Sequence, residues 1–105
     1  METKEILSHI DHTQLKPYAT LEDIYKLCDE AVTYGTASVC IPPCYVRRVH
    51  DRYGSKLNIC TVVGFPLGYS VTAAKLAETR QAIEDGAQEI DMVIKLEDWN
   101  KDREY

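Results

Sequence analysis

Asp91 is the residue with the clearest capacity for chemistry, because it is a lone carboxylate in the otherwise apolar run 90–94. The run follows Gly86, a residue typical of a helix end, so the pattern predicts a short strand buried on both faces. Burial of an unpaired carboxylate is very costly, and Asp91 therefore needs a partner. Two interpretations are open: a structural ion pair, or a catalytic acid that points into a barrel.

A lysine that forms a Schiff base must be partly neutral at working pH, which requires burial or a neighbouring cation. Lys16 precedes a proline in a loop, and four further lysines fall on polar helix faces or in loops: Lys26, Lys56, Lys75 and Lys101. Lys95 shares a strand face with Asp91 by alternation, but at about 3.3 Å per residue the two side chains start roughly 13 Å apart. We therefore interpret Lys95 as a strand-end lysine that reaches water.

The cysteines and histidines do not form a recognisable site in the sequence. Three of the four cysteines lie in apolar patterns, where free cysteine acts as a small hydrophobe. The Cys40-x3-Cys44 pair has no matching pair downstream, so no metal site is expected. His12 follows Asp11 in a strand and points to the opposite side, so the two are not a dyad. No serine or cysteine has a histidine and an acid at a spacing typical of nucleophilic hydrolysis.

Composition describes one small domain of 105 residues, with 45% hydrophobic and 28% charged side chains. Twelve basic and seventeen acidic residues give a net charge of −5, and no basic stripe suggests nucleic-acid binding. No apolar run approaches the roughly 18 residues of a membrane span. The N-terminus lacks the pattern of a secretory signal, so a cytoplasmic protein is expected.

Four strands and three full helices must position these residues. Thr20 is the expected N-cap of the first full helix and Gly35 its end. Pro43 can open the second, whose predicted inner face is Val46, Val49 and Tyr53. The third begins near Ser70 or Thr72 and ends at Gly86, with a predicted inner face of Ala73, Leu76, Ala77 and Ile83. The predicted strands are 10–13, 37–41, 57–63 and 89–94. Strict alternation of strands and helices predicts a parallel sheet with right-handed crossovers.

Two architectures use this alternation: the doubly wound open sheet and the eight-stranded barrel. A doubly wound nucleotide-binding protein should carry a glycine fingerprint after its first strand, where this chain has Gln14-Leu15-Lys16-Pro17. A flavodoxin-like sheet stays possible. The polar segment 97–105 stops without a helix cap, which is typical of a chain that ends inside a larger fold.

Four motifs in the same order resemble deoxyribose-phosphate aldolase and cover almost the whole chain. They are Ile10-Asp11-His12-Thr13-x-Leu15-Lys16-Pro17, Ala37-Ser38-Val39-Cys40, Cys60-Thr61-Val62-Val63-Gly64-Phe65-Pro66-Leu67-Gly68 and Gly86-Ala87-x-Glu89-Ile90-Asp91-Met92-Val93-Ile94. The resemblance implies an α/β fold, a (β/α)8 TIM barrel. It also implies a class I aldolase that cleaves 2-deoxyribose 5-phosphate to glyceraldehyde 3-phosphate and acetaldehyde through a lysine Schiff base, with no cofactor.

A whole barrel needs roughly 200 to 250 residues, so residues 1–105 are expected to form a single N-terminal half-barrel segment. In the family, the Schiff-base lysine lies on the sixth strand and a proton-shuttling lysine on the seventh, both beyond Tyr105. The resemblance implies a catalytic, proton-relaying role for Asp91. It also implies that Asp11, Thr13 and Cys40 line the substrate pocket.

The resemblance has two departures: Pro42 and Lys95 stand where the family commonly has asparagine, at strand ends near the pocket rim. Alone, the chain is expected to be inactive, and its partners would be a small phosphorylated sugar or aldehyde and further copies of itself. A second hypothesis is a self-associating half-barrel with a structural or ligand-binding role, forming a homodimer or higher oligomer. A flavodoxin-like ligand-binding domain is a third.

Overall fold

The computed structural model describes residues 2–95, in which helices and strands alternate along the chain. The helices are α1 Thr3–Leu7, α2 Leu21–Tyr34, α3 Val46–Tyr53 and α4 Thr72–Asp85. The strands are β1 Asp11–Thr13, β2 Ser38–Ile41, β3 Ile59–Val63 and β4 Glu89–Met92. Within this part of the chain, no helix has both the length and the apolar character needed to cross a membrane.

The four strands form one parallel sheet in the order of the sequence, β1-β2-β3-β4. The register pairs Thr13 with Cys40 and Cys40 with Cys60, and it pairs Val62 with Asp91. Each crossover between neighbouring strands carries a helix, as the alternating pattern predicted. The predicted parallel array is confirmed.

The predicted start and end of α2 are confirmed by its capping contacts. The Thr20 Oγ1 accepts a hydrogen bond from the Asp23 backbone N–H at 3.2 Å, and the Asp23 carboxylate accepts one from the Thr20 N–H at 2.9 Å. This reciprocal capping box satisfies two backbone donors that the first turn would otherwise leave unpaired. Gly35 ends the helix in the left-handed conformation, with φ of 67°.

The main core lies between the sheet and the two helices α2 and α3. The sheet contributes the side chains on its helix-facing side, and they are fully buried: Val39, Ile41 and Ile59. The helices contribute Ile24, Leu27, Cys28, Ala31, Val46, Val49 and Tyr53. The predicted inner face of the second full helix is therefore confirmed, and removal of these apolar surfaces from water stabilises the fold.

Two sequence-based expectations were wrong, and both concern the end of the described chain. The strand β4 was expected to be buried on both faces, but Asp91 and Met92 are exposed and Ile90 is only half-buried. The predicted inner face of α4 is exposed as well, and this helix buries Ala82 instead. Within residues 2–95, β4 is an edge strand of the sheet. In this part of the chain, no further strand with its crossover helix therefore lies beside β4 and α4 to cover them.

The buried thiol of Cys28 makes the stability of the fold sensitive to alkaline pH. Burial, and then the charge of Asp29, raises the pKa of Cys28 from 9.0 to about 12. Below pH 9 the thiol is protonated in both states and its contribution to stability is complete. Between pH 9 and about 12 the unfolded chain loses the proton first, so stability falls as pH rises.

We expect Cys28→Ala to make the free energy of unfolding fall less steeply with pH in the alkaline range. The slope should change by up to about 1.4 kcal/mol per pH unit, which corresponds to one proton. The free energy of unfolding in urea, measured under reducing conditions from about pH 8 to about pH 10.5, checks this. Cys44→Ala is the matched control, because Cys44 is exposed. Equal slopes for wild type and Cys28→Ala would contradict the assignment.

Candidate functional site

The parallel register gathers the chemically capable side chains on one side of the sheet. Successive residues of a strand point to opposite faces, so paired positions share a face across all four strands. We call the side opposite α2 and α3 the inner face. It carries Asp11, Thr13, Ser38, Cys40, Cys60, Val62, Glu89 and Asp91.

Asp91 lies on the edge strand β4, beside two buried thiols that occupy the centre of the inner face. A carboxylate oxygen of Asp91 and the Sγ atoms of Cys40 and Cys60 all lie within 4.8 Å of one another. The thiols are 5% and 1% exposed, whereas Asp91 is exposed. The carboxylate thus has one side against the thiols and another open to an incoming group.

Asp11 and Thr13 lie at the β1 edge of the same face. The Asp11 carboxylate accepts a hydrogen bond from the Ser38 hydroxyl, which is buried on the neighbouring strand. The Thr13 hydroxyl donates to the Asp11 backbone carbonyl at 3.1 Å. The first contact fixes the orientation of the Asp11 side chain, because a buried hydroxyl without a partner would be costly.

The two central thiols are protonated at neutral pH. Burial raises the pKa of Cys60, and the neighbouring Cys40 and Asp91 raise it further. Burial also raises the pKa of Cys40, and the charges of Asp91, Asp11 and Glu89 act in the same direction. Because the thiolate is the nucleophilic form, neither cysteine is a good nucleophile in this environment.

The loops after β1, β2 and β3 enclose a cavity of about 300 Å³ at the carboxyl ends of the strands. Its wall includes Leu15, Pro42 and Phe65, one from each loop. Active sites of barrels built from parallel strands lie at this end. Pro42 therefore lies in the wall of the cavity and places a rigid ring there.

Sequence reasoning singled out Asp91, Asp11, Thr13 and Cys40, and the structure brings all four to the inner face. Cys40 and Asp91 lie together, whereas Asp11 and Thr13 lie at the edge. His12 is on the opposite side, where its Nε2 lies 3.5 Å from Glu30 of α2. This agrees with the prediction that it does not pair with Asp11.

Two residues of the site were missed by sequence reasoning. Cys60 was interpreted only as an apolar strand residue, and Ser38 was given no role. A register argument could have found both, since positions 38 and 40 of β2 and position 60 of β3 share the face of Asp91 once the strands are paired. Instead, Cys40 was compared with its sequence neighbour Cys44, which is exposed.

An aldolase family profile and individual aldolases match the sequence. The sequence profile of the DeoC/LacD family aldolases matches residues 5–104. The deoxyribose-phosphate aldolase of Clostridium botulinum strain Alaska E43 is 64% identical over 98 residues, which are 93% of this chain and 44% of that protein. The deoxyribose-phosphate aldolase of Clostridioides difficile strain 630 is 56% identical over 100 residues, 94% of this chain and 46% of that protein.

The fold of the chain is similar to part of a solved aldolase. The tetrameric deoxyribose phosphate aldolase from Aeropyrum pernix superposes with a TM-score of 0.87 at 35% identity, over 91% of this chain and 42% of that one. The chain therefore spans less than half the length of the relatives it matches. Four parallel strands matched to that share of a barrel confirm the expected half of a (β/α)8 fold.

Proposed function

The chain belongs to the DeoC/LacD family of aldolases, and from this premise we propose that it supplies the first four strands of a deoxyribose-phosphate aldolase active site. The reaction is the reversible cleavage of 2-deoxyribose 5-phosphate to glyceraldehyde 3-phosphate and acetaldehyde. The amine that forms the Schiff base comes from a later strand of the barrel. Residues 1–105 without that strand are inactive.

The position of Asp91 is the observation that carries this proposal. Its carboxylate is exposed on the inner face, where the remaining strands of a barrel would enclose it. In the proposed enzyme, Asp91 exchanges protons with an amine of a later strand. The adjacent thiols, protonated at neutral pH, take no part in that exchange because their pKa values are raised.

The remaining inner-face residues suit the binding of a small phosphorylated sugar. Asp11 and Thr13 supply polar oxygens, and Cys40 supplies a compact apolar surface beside Asp91. The Schiff-base chemistry of the family uses no organic cofactor, and its place is the breakdown of deoxyribonucleotides in the cytoplasm. We propose the same setting for this protein.

The test is a chimaera in which residues 1–95 of this chain replace the matching segment of the Clostridium botulinum relative. We expect aldolase activity, and we expect Asp91→Asn to lower kcat by about 10²- to 10⁴-fold, since that is what a positioned acid–base group contributes. Turnover of 2-deoxyribose 5-phosphate measures this. Asp51→Asn is the control, because Asp51 is an exposed helix residue paired with Arg47.

The isolated chain provides the second arm of this experiment. Acetaldehyde followed by borohydride should leave the mass of the chain unchanged, because reduction traps only an amine that has formed a Schiff base. A stoichiometric adduct on Lys16 or Lys95 would contradict the proposed inactivity. Full activity of the Asp91→Asn chimaera would contradict the role of the carboxylate.

Self-association is a second candidate function, and the exposed apolar side chains near β4 favour it. Leu76 and Ile83 of α4 are 49% and 59% exposed, and Met92 and Ile94 are 45% and 44% exposed. An apolar surface beside an unpaired strand edge is a site for pairing with another chain. Two copies paired in this way could approximate a closed barrel.

Sedimentation of the chain at micromolar concentration tests self-association, and we expect a dimer or a higher oligomer. Ile83→Asp should shift the distribution towards monomer, because a charge on the apolar surface opposes its burial. Tyr34→Asp is the matched control, since Tyr34 is equally exposed but lies at the end of α2. A monomeric wild-type chain would exclude this role.

A further inference from the structure

Two buried thiols and a carboxylate meet on the inner face, and the proposed aldolase role assigns proton exchange to the carboxylate but no chemistry to the thiols. Cys40 and Cys60 are direct register partners on β2 and β3, so their side chains leave the sheet side by side. Asp91 on β4 pairs with Val62, which follows Cys60 by two residues and lies on the same face. Their three ligand atoms lie within 4.8 Å of one another.

The chemistry of this donor set selects a soft divalent cation. Zinc binds thiolate sulfur at about 2.3 Å and carboxylate oxygen at about 2.0–2.2 Å, which puts tetrahedral ligands roughly 3.5–3.8 Å apart. The three ligand atoms start within 4.8 Å of one another, so each needs to move by no more than about 1 Å to reach that spacing. We propose that Cys40, Cys60 and Asp91 bind one zinc ion, with the fourth position open to the inner face.

The surroundings of the cluster favour a cation. The carboxylates of Asp11, Glu89 and Asp91 lie on the same face of the sheet as the two thiols. A divalent ion on this face offsets the repulsion between these like charges. Val62 is buried against the thiols and Leu15 packs on the same cluster, which limits water on that side.

Binding releases protons and needs no oxidant or reductant. Each thiol that becomes a ligand gives its proton to solvent as the metal–sulfur bond forms, and Asp91 binds as the carboxylate. The ion would occupy the carboxylate that the aldolase proposal assigns to proton exchange. The zinc site itself depends only on the geometry of this chain, so it can fail or hold independently of that proposal.

Titration of the isolated, reduced chain with Co²⁺ tests the site, because sulfur-to-cobalt charge-transfer absorption appears only when thiolates bind the metal. We expect one Co²⁺ per chain with this absorption, and loss of the signal when one equivalent of Zn²⁺ is added. The absence of a thiolate band in the wild-type chain, under conditions where the chain is folded by circular dichroism, would overturn the proposal.

Three variants connect the signal to the cluster. Cys60→Ser should lower the charge-transfer absorption at saturating Co²⁺ by about half or more, because one of the two thiolate ligands is lost. Asp91→Asn, at an exposed position, should raise the Kd for Co²⁺ by at least about tenfold. Cys44→Ser should leave both unchanged, because Cys44 is exposed and outside the cluster. A band of undiminished intensity in Cys60→Ser, an unchanged Kd in Asp91→Asn, or a band lost in Cys44→Ser would contradict the assignment.

Discussion

The pairing register of the parallel sheet is the constraint on which every other feature of this chain depends. Because side chains alternate with a period of two, a slip of one residue would move a whole strand's side chains to the other face. The observed pairs Cys40 with Cys60 and Val62 with Asp91 put thiols and carboxylate together. The same register turns the apolar side chains of Val39, Ile41 and Ile59 towards the helices. One pairing register therefore determines both the core and the candidate site.

The two faces of the sheet differ in the side chains that they carry and in how far these are buried. The helix-facing side is filled by β-branched residues such as Val39 and Ile59 and is completely buried. The inner face buries two compact thiols at its centre and keeps carboxylates towards its edges, where they remain in contact with water. Charges at the edges cost little to maintain, whereas they would be very costly in the centre without partners. A chain that spans less than half of its relatives can therefore hold an ordered core and still present acidic groups.

The sequence predicted most of this fold because its local signals agree with one another. Thr20 and the glycines at positions 35 and 86 mark helix ends as predicted, and Pro43 opens the 3-10 turn Pro43–Tyr45 that leads into α3. The apolar stripe of α2 is buried in its central part, whereas Val32 is exposed. Burial of β4 was predicted wrongly because an apolar run such as 90–94 indicates the burial a strand can reach, whereas its actual burial depends on elements packed against it. Sequence spacing also could not relate Cys40 to Cys60, since their proximity arises from register between strands twenty positions apart.

Interstrand nuclear Overhauser contacts between β3 and β4 test the central claim most directly, since they report the register that places Asp91. The account predicts parallel-sheet contacts between the backbone protons of Val62 and Asp91 and between those of Cys60 and Glu89. Contacts shifted by one residue, such as Val62 with Ile90, would turn Asp91 to the helix-facing side. That result would contradict the shared face of carboxylate and thiols, and with it both roles proposed for Asp91.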